Sequence, residues 1–357
     1  MIPKKEVFTL KKFDYKTLNG LVLTSEIVSK MNQIYEIRGQ LSSIDVNFSD
    51  TLTRLVDVAK IQSTEASNAI EGIYTSDTRL KQIVQDKTQP HNRSEEEISG
   101  YRDVLDLIHE HYEHIKIEPN SILALHKQLF AFTSSEWRGH FKNMDNTIVT
   151  EYADGHKEIR FNPPAAYLTP GLVEELCHNY NDAMAQSSFS PLILSGAFIF
   201  DFVSIHPFLD GNGRMSRLLM LLTLYQSGFS VGKYISIEKL IEKTKEFYYE
   251  KLRQSSESWT ENQNDYQPFI DYFLGVILQA YIDLRERVGI VERHPTSASD
   301  LIIRQLQQKL QPLSRRDLVG LIPQYSEVTL KRALASLHKD GRIELIGAGR
   351  ASKYVLK

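Results

Sequence analysis

Two apolar runs, Pro191–Ile205 and residues 213–227, are joined by the polar segment His206-Pro207-Phe208-Leu209-Asp210-Gly211-Asn212-Gly213-Arg214. Both runs read as helices, and an apolar helix pair joined by so polar a loop constrains the fold more than any other feature. The remainder is also largely helical in pattern. Leu52, Leu55, Val56, Ala59 and Ile61 recur near helical spacing within 50–71, and Gly72 is placed to stop that run. Further helical patterns occupy 94–113, 120–132, 169–185, 237–257 and 266–288, with Thr169-Pro170 expected as a cap and first-turn pair. The exception is 147–161. There two short extended stretches flank Ala153-Asp154-Gly155-His156, the pattern of a β-hairpin.

Arg293-His294-Pro295 reads as a linker. Beyond it come three short helical patterns, 301–309, Arg315–Leu321 and 328–340. Two strands follow, 342–346 and Lys353–Leu356, around Gly347-Ala348-Gly349. Three helices and a hairpin outline a winged helix. Charge marks the same boundary: from Thr296 onward eleven Lys and Arg face five Asp and Glu, a balance of +6 in a chain of net −3, so the remainder carries −9.

The chain has 357 residues, 41% of them hydrophobic, which suits two or three domains with a sizeable core. A single cysteine, Cys177, excludes an internal disulfide and fits a reducing cytoplasm. The first seventeen residues have no apolar run of the secretory kind, and the longest apolar stretch is broken by Asp201, so neither a signal peptide nor a membrane span is expected.

The joining loop gathers unusual chemistry. Gly211 and Gly213 lack a Cβ and let backbone approach a bulky anion. The following helix start offers free N–H groups and a favourable dipole. Arg214 and Arg217, three apart, share a helix face and could grip neighbouring phosphates. Asp210 supplies a hard oxygen for Mg²⁺, and His206 is suited to taking a proton from an attacking hydroxyl. Each residue alone would pass as a helix cap or a solvated side chain; together they point to polyphosphate chemistry.

At these residues the chain resembles the Fic family of protein AMP-transferases, whose signature H-P-F-x-[D/E]-G-N-G-R-x-x-R is met at every specified position. The resemblance implies a mainly α fold: a Fic helical core with a β-hairpin flap, an N-terminal helical region and a C-terminal winged helix. The corresponding domains are 1–90, 91–292 and 296–357. It implies ATP as substrate and Mg²⁺ as companion ion. His206 would be the general base, Asp210 the metal ligand, and Asn212 with the Gly211 and Gly213 backbone the anion cradle. Arg214 would contact the β-phosphate region and Arg217 the γ-phosphate. The hairpin 147–161 would be a flap that docks an unknown target protein by strand addition. One departure stands upstream: Lys142 occupies a place where the family usually has Arg, and Lys makes no planar fork.

Ser67-Asn68-Ala69-Ile70-Glu71-Gly72 resembles the family's inhibitory pattern, [S/T]-x-x-x-E-[G/N], in the subclass with an N-terminal inhibitory helix. Ser67 and Glu71 are i,i+4 neighbours, so both can face one target, and Glu71 could take the fork of Arg217 that a γ-phosphate would otherwise use.

Other features carry less. The segment 228–234 lacks the spacing and the Ser/Thr of a P-loop. His109, His111 and His114 do not have the spacing of a zinc helix, and Cys177 reads as a small core residue. Lys331, Arg332, Lys339, Arg342, Arg350 and Lys353 could meet DNA phosphates, although winged helices also dock proteins. The expected activity is therefore AMP transfer to Ser, Thr or Tyr hydroxyls, autoinhibited by Glu71. Its rivals are AMP removal, a nucleotide other than ATP, and a nucleotide-sensing DNA-binding regulator. The sequence leaves the oligomeric state open, a homo-oligomer included.

Overall fold

The computed structural model describes residues 11–42, 49–151, 157–289, 297–309, 312–322, 325–347 and 352–356. Two compact units divide the chain, Met1–Val288 and Gly289–Lys357. In the first, α1 (Ser25–Ser42), α2 (Ser49–Ile70), α3 (Asp77–Gln85), α4 (Arg93–His111) and α5 (Pro119–Leu129) precede an antiparallel pair, β1 (Ile148–Glu151) and β2 (Lys157–Phe161). Then follow α6 (Thr169–Gln186), α7 (Pro191–Ile205), α8 (Asn212–Gln226), α9 (Ile237–Lys243), α10 (Lys245–Ser256) and α11 (Gln267–Arg287). The fold is mainly helical. The turn expected at 153–156 and the linker 293–295 lie outside the described residues.

Helix α7 is apolar on every side and is enclosed on every side, packing against α6, α8 and α11. Asp201 is the one acid inside it, fully buried, and it explains how the chain tolerates a carboxylate there. Its oxygens accept from Tyr15 Oη at 2.7 Å, Trp259 Nε1 at 2.7 Å and Tyr266 Oη at 2.8 Å. Lys11 adds a nearby positive charge, its Nζ donating to Asn264 Oδ1 at 2.6 Å. Burial raises the Asp201 pKa, and Lys11 and the three donors pull against that rise.

Two local expectations need correction. Residues 237–257 form two helices, because the chain turns at Thr244, whose hydroxyl bonds back to the Leu240 carbonyl at 2.9 Å and meets Tyr272 Oη at 2.8 Å. Thr169 is the first residue of α6 and not its cap; a single 3₁₀ turn, Ala166–Leu168, leads in, and the Thr169 hydroxyl is buried without a partner.

The second unit contains α12 (Ala298–Lys309), β3 (Leu313–Ser314), α13 (Arg315–Leu321), α14 (Glu327–Lys339), β4 (Ile343–Ile346) and β5 (Lys353–Leu356). The strands pair antiparallel in the order β3-β5-β4, which adds a short strand to the expected hairpin. Ile302, Leu306, Leu318, Leu330, Leu334, Leu337 and Ile343 form its core. Of the expected turn 347–349, residues 348 and 349 lie outside the described residues.

Replacing Asp201 by Ala would strand three buried donors. Asp201→Ala is expected to cost about 3–5 kcal/mol of unfolding free energy, and Asp201→Asn less, measured by chemical denaturation.

Candidate active site

The loop after α7 is held by contacts from three directions. His206 ends the helix with φ +50°, a left-handed backbone that non-glycine residues seldom adopt. Pro207 then prevents any continuation. Phe208 is fully buried and stacks on the His126 ring at 3.7 Å. His126 Nδ1 accepts from Gly139 N–H at 3.0 Å, so its Nε2 carries the proton and donates to the Asp210 carbonyl at 3.1 Å. Asn212 spends its side chain on Phe208, accepting from the backbone N–H at 2.9 Å and donating to the carbonyl at 2.8 Å. Gly211 turns with φ +81°, and a Cβ there would meet the Phe130 ring at 2.7 Å. Helix α8 begins at Asn212, and its first N–H groups have no carbonyl one turn back to meet.

Lys142 belongs to this scaffold. Its backbone N–H donates to the Pro207 carbonyl at 2.8 Å, and its Nζ donates to Asn146 Oδ1 at 2.9 Å and the Ile205 carbonyl at 3.3 Å. Asn146 donates in turn to the Phe208 carbonyl at 3.1 Å. A point charge suffices to hold one carbonyl, so no planar fork is needed. Burial lowers the Lys142 pKa to about 8, against the raising effect of Asp145.

A cavity of about 540 Å³ opens at this point, and His206, Gly213, Arg217 and Glu71 all line it. Ile148 and Phe161, at the base of the β1–β2 hairpin, form part of its wall, and Lys245, Tyr248 and Tyr249 of α10 form another part. The His206 Nδ1 is buried without a well-formed hydrogen bond, which leaves Nε2 as the ring atom available to the cavity. Burial pushes the ring down to about 4; the Lys142 charge adds to this, while the Val203 carbonyl and Glu71 oppose it. At neutral pH the ring is an uncharged base.

Arg217 is buried and fully engaged by α2. Its Nε donates to Ser67 Oγ at 2.8 Å, and its Nη2 donates to the Ser67 carbonyl at 2.9 Å and Glu71 Oε1 at 2.7 Å. The Glu71 carboxylate stands directly over Gly213, where any Cβ would collide with Oε1. It therefore fills the seat at the start of α8 that an anion would take. Burial alone would raise the Glu71 pKa, but the charges of Arg217, Arg214 and Lys245 and the Arg217 hydrogen bond together leave it lowered. Gly72 follows with φ +78° and ends α2 by donating to the Ala69 carbonyl at 3.0 Å.

The other expected site residues are placed differently. Arg214 is buried and turned toward α4, with Nη2 2.8 Å from Glu97 Oε2 and Nη1 donating to Asn68 Oδ1 at 3.4 Å. The two arginines thus do not form a joint clamp here: Arg217 is answered by Ser67 and Glu71 at the end of α2, and Arg214 chiefly by Glu97 of α4, with Asn68 of α2 as its longer contact. Asp210, Gly211, Asn212 and Arg214 do not line the cavity. Asp210 is half exposed beside it, with Oδ1 accepting from Gly211 N–H at 2.6 Å. Among the described residues no group of three or more His, Cys, Asp or Glu could hold a metal ion. A single carboxylate fits Mg²⁺ only where phosphates and water complete its oxygen shell.

Three histidines, His109 and His126 buried and His206 partly so, share one electrostatic condition. His109 is lowered to about 3, His126 to about 4 and His206 to about 4, in each case by burial first. Below pH 6.5 the unfolded chain takes up protons that the folded chain refuses, so stability falls as pH falls from 6.5 toward 4. Each ring contributes up to about 1.4 kcal/mol per pH unit in this window. Denaturation between pH 7 and pH 5 is expected to show a proton uptake on unfolding that approaches three per chain.

Residues 116–224 match the model of the Fic/DOC family. A Fido domain-containing protein of Dictyostelium discoideum is 36% identical over 125 residues, which cover 32% of this chain and 84% of that protein. The protein adenylyltransferase Fic of Nematostella vectensis is 26% identical over 252 residues, covering 68% of this chain and 52% of that one. The chain thus spans about half the length of that adenylyltransferase. The crystal structure of a Fic family protein from Desulfovibrio desulfuricans superposes with a TM-score of 0.62 at 23% identity, over 94% of this chain and 97% of that one. With more than four-fifths of the Dictyostelium protein aligned at 36% identity, and the family model matching 116–224, the chain belongs to the Fic/DOC family.

Proposed function

We propose that this chain transfers AMP from ATP to a hydroxyl of a protein, and that Glu71 restrains the reaction. The observation that carries the proposal is the placement of Glu71 on Arg217, over Gly213, inside the cavity that His206 lines. His206 Nε2 takes the proton of the incoming Ser, Thr or Tyr hydroxyl. That oxygen bonds to the α-phosphorus as the bond to the bridging oxygen breaks, and pyrophosphate leaves. Arg217 holds the γ-phosphate once Glu71 has moved away, and the first N–H groups of α8 steady the phosphates. Asp210 is the residue that would hold Mg²⁺, whose charge offsets that of the triphosphate. Arg214, held by Glu97 and Asn68, reaches the β-phosphate only by exchanging one of those partners. The β1–β2 hairpin at the cavity wall would hold the target segment along its edge. The second unit is read as a winged helix, and residues 1–90, 91–292 and 296–357 as the working divisions.

Glu71 and the γ-phosphate compete for one guanidinium, so the brake acts by misplacing the nucleotide. Lys245 assists, because its Nζ donates to the Ile70 carbonyl at 2.6 Å and so secures the last turn of α2.

With α-labelled ATP and Mg²⁺, Glu71→Gly is expected to raise labelling of protein by at least tenfold, roughly the 1.4 kcal/mol of one charge-assisted hydrogen bond. Glu71→Gly/His206→Ala is expected to abolish that labelling. Equal labelling by wild type and Glu71→Gly would remove the brake from this account. Release of AMP from a labelled protein, dependent on Glu71, would assign the site to AMP removal instead.

Lys245→Met is expected to raise transfer by a smaller factor, about 2–5-fold, while Glu71 is present, and not at all in the Glu71→Gly background. An equal effect in both backgrounds would mean that Lys245 acts on the nucleotide and not on α2.

A further inference from the structure

Helix α14 presents two faces of opposite character. Leu330, Ala333, Leu334 and Leu337 point into the core of the second unit. Val328, Lys331, Arg332, Ala335, Ser336 and Lys339 are exposed on the other side. Solvated helix faces usually interleave acids and bases at i,i+4 spacing. This face does not: Glu327 is the one acid of α14, it sits at the first turn, and Arg315 occupies it at 3.4 Å. Among the described residues no carboxylate lies within ion-pair distance of Lys331, Arg332 or Lys339.

The small residues matter as much as the charges. Ala335 and Ser336 sit mid-face, between the Lys331/Arg332 pair and Lys339, so the helix axis can approach a surface closely there. Val328, 61% exposed, offers a methyl-sized apolar contact near the N-terminus. Lys331 and Lys339 are separated by about 12 Å of helix rise, a span comparable to the width of the major groove of B-DNA, about 12 Å. Beside the helix, Arg315, Arg316 and Glu327 border a cleft of about 650 Å³ that Leu345 and Tyr354 of the β-sheet close on its other side.

We propose that the second unit binds duplex DNA, with α14 in the major groove and the β4–β5 hairpin beside it on the backbone. The exposed Leu345 and Ile346, taken alone, would suit a protein partner. Exposed Glu344 and Glu327 lie near them, but the net charge decides for a polyanion, because the unit carries +6 while the rest of the chain carries −9 and would repel one. Lys331, Arg332, Lys339 and the basic residues Arg315 and Arg316 meet phosphates, whereas Val328, Ala335 and Ser336 face the base edges. The reaction at His206 has no part in this inference, so the two stand or fall separately.

The test uses the full chain and fluorescently labelled 30-base-pair duplexes drawn from a randomised pool, titrated at several salt concentrations from about 50 mM upward. Wild type is expected to bind with an affinity that falls steeply with salt. Lys331→Glu/Arg332→Glu is expected to weaken binding at 50 mM salt by at least tenfold and to make the log–log salt slope shallower by about 2. Its thermal unfolding is expected to match wild type, since both side chains are exposed and unpaired. Lys331→Ala/Arg332→Ala, which adds no acid, is expected to lie between the two. No binding at 50 mM salt would overturn the proposal. So would binding that the charge reversal leaves unchanged. Capture of a protein through this face, lost on charge reversal and without any DNA binding, would also overturn it and assign the unit to protein docking.

Discussion

Arg217 organises the site because a buried guanidinium cannot lose its charge and must always be answered by an acceptor. In this structure the answer comes entirely from one helix turn of α2: the Ser67 hydroxyl, the Ser67 carbonyl and the Glu71 carboxylate. That contact is also what ties α2 to α8 across the cavity. Glu71 therefore behaves as a ligand on a tether. Dilution cannot remove it, and on the proposed function a nucleotide would meet a high local concentration of carboxylate. The apparent affinity for a phosphate in the same seat is lowered by the fraction of time Glu71 occupies it.

The scaffold around the loop explains why so few residues can serve this geometry. The side chains of Phe208 and Asn212 are taken up by His126 and the loop backbone, and Gly211 lies against the Phe130 ring, so what Asn212 can still offer a ligand is its backbone N–H. Lys142 and Asn146 add a second brace from the segment before the hairpin. The Ile205, Pro207, Phe208 and Asp210 carbonyls thereby all have partners. The same reasoning applies to Asp201, which draws residues near both ends of the first unit onto α7.

Much of this could be read in the sequence, and the part that could not has a common cause. His206, Gly213, Arg217 and Glu71 were legible because spacing within one loop or one helix turn encodes their relation. The mainly helical fold followed from periodicity in the same way. His126 escaped notice because its partner, the Asp210 carbonyl, lies 84 residues away and leaves no local pattern. Glu97 escaped for the same reason, and with it the fact that Arg214 faces α4 instead of standing beside Arg217. Lys142 was noticed as a departure from a pattern, yet only the structure gives the carbonyl it holds. The break at Thr244 depends on a hydroxyl contact with Tyr272, which no periodicity contains.

The left-handed backbone at His206 has a further consequence. A non-glycine residue in that conformation costs on the order of 1 kcal/mol, and the surrounding bonds to Ile205, Pro207 and Phe208 must supply it. Glycine would sit there without strain. The residue proposed as the base is thus one that conformational preference alone would replace, and on that proposal function and stability pull in opposite directions at this single position. A chain released from the need to react would drift toward glycine at 206 and become sturdier as it lost its base.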